Sequence, residues 1–66
     1  MNITVNGEVR EVEAGVTVQS LLDAMEINCE AIVVQRNDDI VTKDAFADTA
    51  IADGDTLELV RFVGGG

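Results

Sequence analysis

Thr56-Leu57-Glu58-Leu59-Val60-Arg61-Phe62-Val63 reads as a β-strand, and Gly64-Gly65-Gly66 follows it. Side chains alternate across a strand, so Leu57, Leu59, Arg61 and Val63 share one face and Thr56, Glu58, Val60 and Phe62 the other. If the leucines turn to the core, Val60 and Phe62 stand on the outer face beside the glycines and form a candidate partner-docking surface. A covering loop accounts for them equally well, because a small sheet exposes some apolar surface in any case. The glycines have no Cβ with which to pack, and they lose more entropy on ordering than other residues. Such a tail is either a frayed end or a thin arm whose terminal carboxylate enters a slot too narrow for side chains. Residues 1–63 are therefore expected to fold, and residues 64–66 to form a flexible tail.

A strand of this kind needs neighbours, and the N-terminal half supplies them. Ile3 and Val5 alternate with Asn2, Thr4 and Asn6 at the period of a half-buried strand, and Asn6-Gly7 is a strong hairpin signal. The return strand, Glu8 to Glu13, places Val9 and Val12 at opposite parity, which predicts a bulge or twist. After Ala14-Gly15, Thr17 is a good N-cap. Val18, Leu21, Leu22 and Met25 then recur at helical spacing, giving one apolar stripe over two to three turns that end near Asn28 to Glu30. Ala31 to Arg36 is a β-branched run suited to an interior strand. Asn37-Asp38-Asp39 is a turn, Ile40-Val41 a short strand, and Lys43 to Asp48 a helical turn with Phe46 inward. Asp53-Gly54-Asp55 turns the chain into the last strand. This order predicts an α+β domain of the β-grasp type, a mixed sheet of four to five strands with one main helix packed across it.

Composition narrows the function. A chain of 66 residues holds one core, and it can hardly enclose the several hundred cubic ångströms of a catalytic cleft. It contains no histidine, which removes the commonest general base and metal ligand together. Four basic residues stand against thirteen acidic ones, a net charge of −9. That balance argues against nucleic acid and anionic membranes as partners and favours a basic protein. Asp38 and Asp39 lack the spacing and the distal glutamate of a calcium loop, so no metal site is expected. One cysteine, Cys29, excludes an internal disulfide; beyond a helix C-terminus and without a histidine to activate it, it reads as structural. No secretory signal or membrane-spanning run is present, so a cytoplasmic location is expected.

Taken together, the Asn-Gly hairpin, Ala14-Gly15-Val16-Thr17-Val18, Leu21-Leu22, Val33-Val34-Gln35-Arg36-Asn37, Ile40-Val41, Asp53-Gly54-Asp55 and the diglycine terminus resemble the small sulfur carriers of thiamine biosynthesis, the ThiS type. The resemblance covers nearly the whole chain. It implies a ubiquitin-like β-grasp fold, related also to the molybdopterin carriers of the MoaD type. It also implies a substrate protein, not an enzyme. By this resemblance the Gly66 carboxylate is adenylated by a ThiF/MoeB-like adenylating enzyme, which uses ATP and Mg²⁺; the chain itself binds no cofactor. A persulfide sulfur donor then yields a thiocarboxylate on Gly66, and thiazole synthase (ThiG) accepts the sulfur. Gly64 and Gly65 serve as the arm, spanning with Gly66 about 10 Å when extended. The family often carries another small residue before its Gly-Gly pair; here that residue is Gly64.

Other outcomes share the same tail. A carrier serving molybdopterin or cysteine formation keeps the chemistry and changes the acceptor; the absence of proline favours the thiamine type. A ubiquitin-like modifier would join Gly66 to a partner lysine, and a plain interaction module would leave the terminus idle.

Overall fold

A computed structural model describes residues 1–61. Phe62, Val63 and the three terminal glycines lie outside the described residues. The chain runs through β1 (Asn2–Val5), β2 (Glu8–Glu11), α1 (Val18–Ala24), β3 (Ile32–Arg36), β4 (Asp39–Val41) and β5 (Thr56–Arg61), with single 3₁₀ turns at Cys29–Ala31 and Lys43–Ala45. The five strands form one mixed sheet in the order β2-β1-β5-β3-β4. The last strand thus enters the middle of the sheet, parallel to β1 and antiparallel to β3. This is the α+β β-grasp arrangement expected from the order of elements.

Both hairpins turn through left-handed backbone. Asn6 and Gly7 have φ of 50° and 83°, and Asn37 and Asp38 have φ of 50° and 74°. These are two-residue connections of the kind whose twist matches that of paired strands. The N-terminus of α1 leaves few donors unmet. Thr17 and Ser20 form a reciprocal capping box, the Ser20 N–H donating to Thr17 Oγ1 at 3.2 Å and the Thr17 N–H to Ser20 Oγ at 2.8 Å. The N–H groups of Val18 and Gln19 donate to the carbonyls of Thr49 and Phe46, both at 3.0 Å. The long crossover before β5 is thereby tied to the helix.

One face of the sheet receives α1. Ile3 and Val5 from β1, Ile32 and Val34 from β3, and Leu57 and Leu59 from β5 meet Val18, Leu21 and Leu22 of the helix. Phe46 and Ile51 of the crossover close the end of this core. The helical turn at Lys43 thus has the inward Phe46 that its sequence predicts.

Two expectations need correction. The return strand has no bulge: Glu8 to Glu11 pairs in unbroken register with Val5 to Asn2, and Val12 continues it opposite Met1 through two 2.8 Å backbone bonds. The parity mismatch arises because β2 is an edge strand whose four side chains are all exposed. Val9 is left on the outer face opposite Thr4, while Val12 reaches the core from the inner face. The helix also ends early, at Ala24. Glu26 adopts φ 57°, its N–H donates to the Asp23 carbonyl, and that of Ile27 donates to the Leu22 carbonyl, which is a Schellman closure built without glycine. Asn28 caps the following 3₁₀ turn through Glu30 N–H at 2.9 Å.

Candidate functional site

The strand that leads to the glycines is held on both sides and at its start. Along β5, Leu57 and Leu59 are buried and Val60 is 57% exposed, so the leucines face the core and Val60 the outer surface. The Asn6 side chain acts as a further rung beyond the β1 pairing. Its Nδ2 donates to the Leu59 carbonyl at 3.3 Å, and its Oδ1 accepts from the Leu59 N–H at 2.7 Å.

The start of β5 is fixed by Asp55, the one buried polar residue among the described residues, at 6% exposure. Its carboxylate accepts from Arg36 Nε at 2.6 Å, from the Ala52 N–H at 2.8 Å and from Asn37 Nδ2 at 3.0 Å. Burial pushes this carboxyl up, but the Ala52, Asn37 and Arg36 hydrogen bonds, with the Arg36 charge, outweigh burial and hold it below the ordinary aspartate value. Asn37 also accepts from the Thr56 N–H at 2.9 Å. Asp53 accepts from the Asn2 N–H at 2.8 Å. The Asp53-Gly54-Asp55 turn therefore binds β1, the β3-β4 hairpin and β5 together.

Around Val60 the outer face carries a discontinuous aliphatic surface. Val33 lies beside Val60 in register, and Ile40 lies beyond Gln35, 66% exposed. Glu58 and Glu11 are acidic and exposed on this face. Arg61, the last described residue of β5, is exposed and lines a hollow of about 330 Å³ with Glu26, Ile27, Asn28 and Ala31. Cys29 is half-buried and packs against the core. Among the described residues there is no cluster of acidic, cysteine or histidine side chains that would hold a metal, and no helix long and apolar enough to cross a membrane.

Of the residues singled out by sequence, Val60 stands where the alternation of β5 puts it. Phe62, Gly64, Gly65 and Gly66 lie outside the described residues. Sequence reading missed Asn6 and Asp55 as the braces of β5, having assigned both to turns. Nothing local marks a contact that spans 53 residues.

The family model described as ThiS matches residues 3–66. A protein named thiazole synthase from Paramagnetospirillum magneticum is 42% identical over 66 residues, all of this chain but 20% of that protein. The chain thus spans about a fifth of the length of its thiazole synthase relatives. The sulfur carrier protein ThiS of Bacillus subtilis is 36% identical over 50 residues, 76% of each chain. The crystal structure of the thiamine biosynthesis protein ThiS from Geobacter metallireducens superposes with a TM-score of 0.87 at 36% identity, covering 100% of both chains. With the family model matching residues 3–66 and the Geobacter ThiS structure superposing over the full length of both chains, this chain belongs to the ThiS family.

Proposed function

We propose that this protein carries sulfur for thiazole formation as a thiocarboxylate on Gly66, acting as a protein substrate and not as a catalyst. The observation that carries the proposal is the placement of β5. A strand locked between β1 and β3 and braced by Asn6 and Asp55 is a firm mount, separated from the glycines in sequence only by Phe62 and Val63. Family membership and the relationship to thiazole synthases support the same reading.

A carboxylate is a resonance-stabilised acyl group and resists nucleophiles. In the proposed sequence, a ThiF/MoeB-like adenylating enzyme binds ATP and Mg²⁺, and the Gly66 carboxylate attacks the α-phosphate, releasing pyrophosphate. The terminal sulfur of a persulfide donor then displaces AMP. A thiol cleaves the resulting acyl disulfide, leaving the thiocarboxylate and a disulfide on the donor. A ThiG-type thiazole synthase accepts the sulfur. This chain contributes a Cβ-free arm and, through Val60 and Phe62, part of the docking surface. Proton transfers are assigned to the partners, and the whole cycle to the cytoplasm.

Intact-mass analysis of the protein from thiamine-starved cells is expected to reveal a fraction with sulfur in place of one oxygen. Gly66 linked to lysines of other proteins would replace this assignment with a modifier role. Removal of Gly65 and Gly66 is expected to leave the circular dichroism spectrum unchanged and abolish ATP–pyrophosphate exchange with the activating enzyme. Exchange at the full rate would overturn the proposal.

A further inference from the structure

We propose that the open edge of β2 and the groove beside α1 take an extended, basic segment of a partner protein as a sixth strand. Unlike the carrier cycle, this interaction needs no tail chemistry, so its failure leaves that proposal intact.

The antiparallel alternation fixes which backbone groups are available. Met1 and Val12 exchange both of their hydrogen bonds. Counting along the register, Ile3 with Arg10 and Val5 with Glu8 are the other bonded pairs. The N–H and C=O groups of Val9 and Glu11 therefore point away from β1, off the edge of the sheet. Edges are commonly blunted by proline, a bulge, a covering loop or charged side chains, and β2 carries only the last of these, in Glu8, Arg10 and Glu11. β2 pairs without a bulge and its four residues are all exposed, and Val9 is 75% exposed, more than any other large apolar side chain among the described residues.

Beside this edge, α1 and the segment after β2 enclose a groove of about 450 Å³. Val12, Val16, Leu21 and Ala24 supply its apolar lining. A strand added to β2 would bond to Val9 and Glu11 and drop alternate side chains into this groove, while its other side chains lie beside Val9 on the outer face.

Charge selects the occupant. Glu8, Glu11 and Glu13 are exposed along this edge, with Arg10 as their one basic neighbour in the strand. A second copy would bring a further net charge of −9 against this acidic edge, which opposes self-pairing. A segment alternating lysine or arginine with aliphatic residues matches both the carboxylates and the groove.

The test is a titration of the ¹⁵N-labelled full chain with a short synthetic peptide alternating valine and lysine, beside its valine-glutamate counterpart. Salt-sensitive amide shifts are expected at Val9, Glu11, Leu21 and Ala24 with the lysine peptide, and none at Val33 or Val60. Val9→Pro removes an N–H that β1 does not use, so the fold tolerates it, and binding is expected to weaken about tenfold. Ala24→Lys, which keeps a good helix former and puts a cation into the groove, is expected to weaken binding similarly. Absence of shifts at Val9 and Glu11, equal binding of the glutamate peptide, or shifts confined to Val33 and Val60 would overturn the proposal. Concentration-dependent shifts at Val9 without peptide would overturn it in favour of self-pairing.

Discussion

Asp55 shows how one buried carboxylate organises three segments. Three donors converge on it from Arg36, Asn37 and Ala52, and each would lose its partner if the charge were removed. Asp55→Ala is expected to cost about 2 kcal/mol near neutral pH, read as a lower urea midpoint at unchanged slope. The sign of the pH dependence follows from the lowered carboxyl. A group that binds its proton less readily when folded stabilises the protein above its unfolded pKa of about 4. That contribution fades as pH falls through the folded value. The gap in stability between the natural protein and Asp55→Ala is therefore expected to be full at pH 6 and to shrink as the pH is lowered below about 4. A gap independent of pH would assign the effect to packing alone. The exposed Lys43–Glu30 pair adds little, since solvent screens both partners.

Among the elements, α1 is the most economical. Seven residues rarely form a stable helix alone, and this one is held by its capping box, by the Thr49 and Phe46 carbonyls and by burial of Val18, Leu21 and Leu22. Its weak point is the closure at Glu26, where a side chain occupies a left-handed conformation suited to glycine. Glu26→Gly is expected to raise stability by about 0.5–1 kcal/mol, checked by thermal and urea unfolding. A loss of stability would mean that the Glu26 side chain contributes something beyond its backbone. In β5, the bonds from Asn6 serve a different end: they hold Leu59 in place from the β1-β2 turn.

For the whole molecule, the proposed function divides the work between surface and tail. Thirteen acidic residues against four basic ones set a field that steers basic partners over about 8 Å at physiological salt. Val60 is exposed on the outer sheet face, and the proposed function assigns it to the surface on which the activating enzyme docks. Val60→Asp alters an exposed position, so it is expected to leave folding intact and weaken binding to that enzyme about tenfold, measured by titration calorimetry. Unchanged affinity would remove Val60 from the docking surface.

Much of this was legible in the sequence because it is local. The Asn6-Gly7 turn, the Thr17 cap, the spacing of Val18, Leu21 and Leu22, and the alternation of Leu57, Leu59 and Val60 each depend on neighbours within a few residues. The Gly64-Gly65-Gly66 run and the resemblance to the sulfur carriers are also read from sequence alone, and the chemistry assigned to Gly66 rests on the proposed function. Only tertiary structure decided that β2 is a bare edge, so that the Val9 and Val12 mismatch produces exposure and not a bulge. Only tertiary structure made Asn6 and Asp55 braces of the final strand. Edge position and bonds between distant residues depend on which strands become neighbours, and neighbour choice is settled by packing the whole core at once.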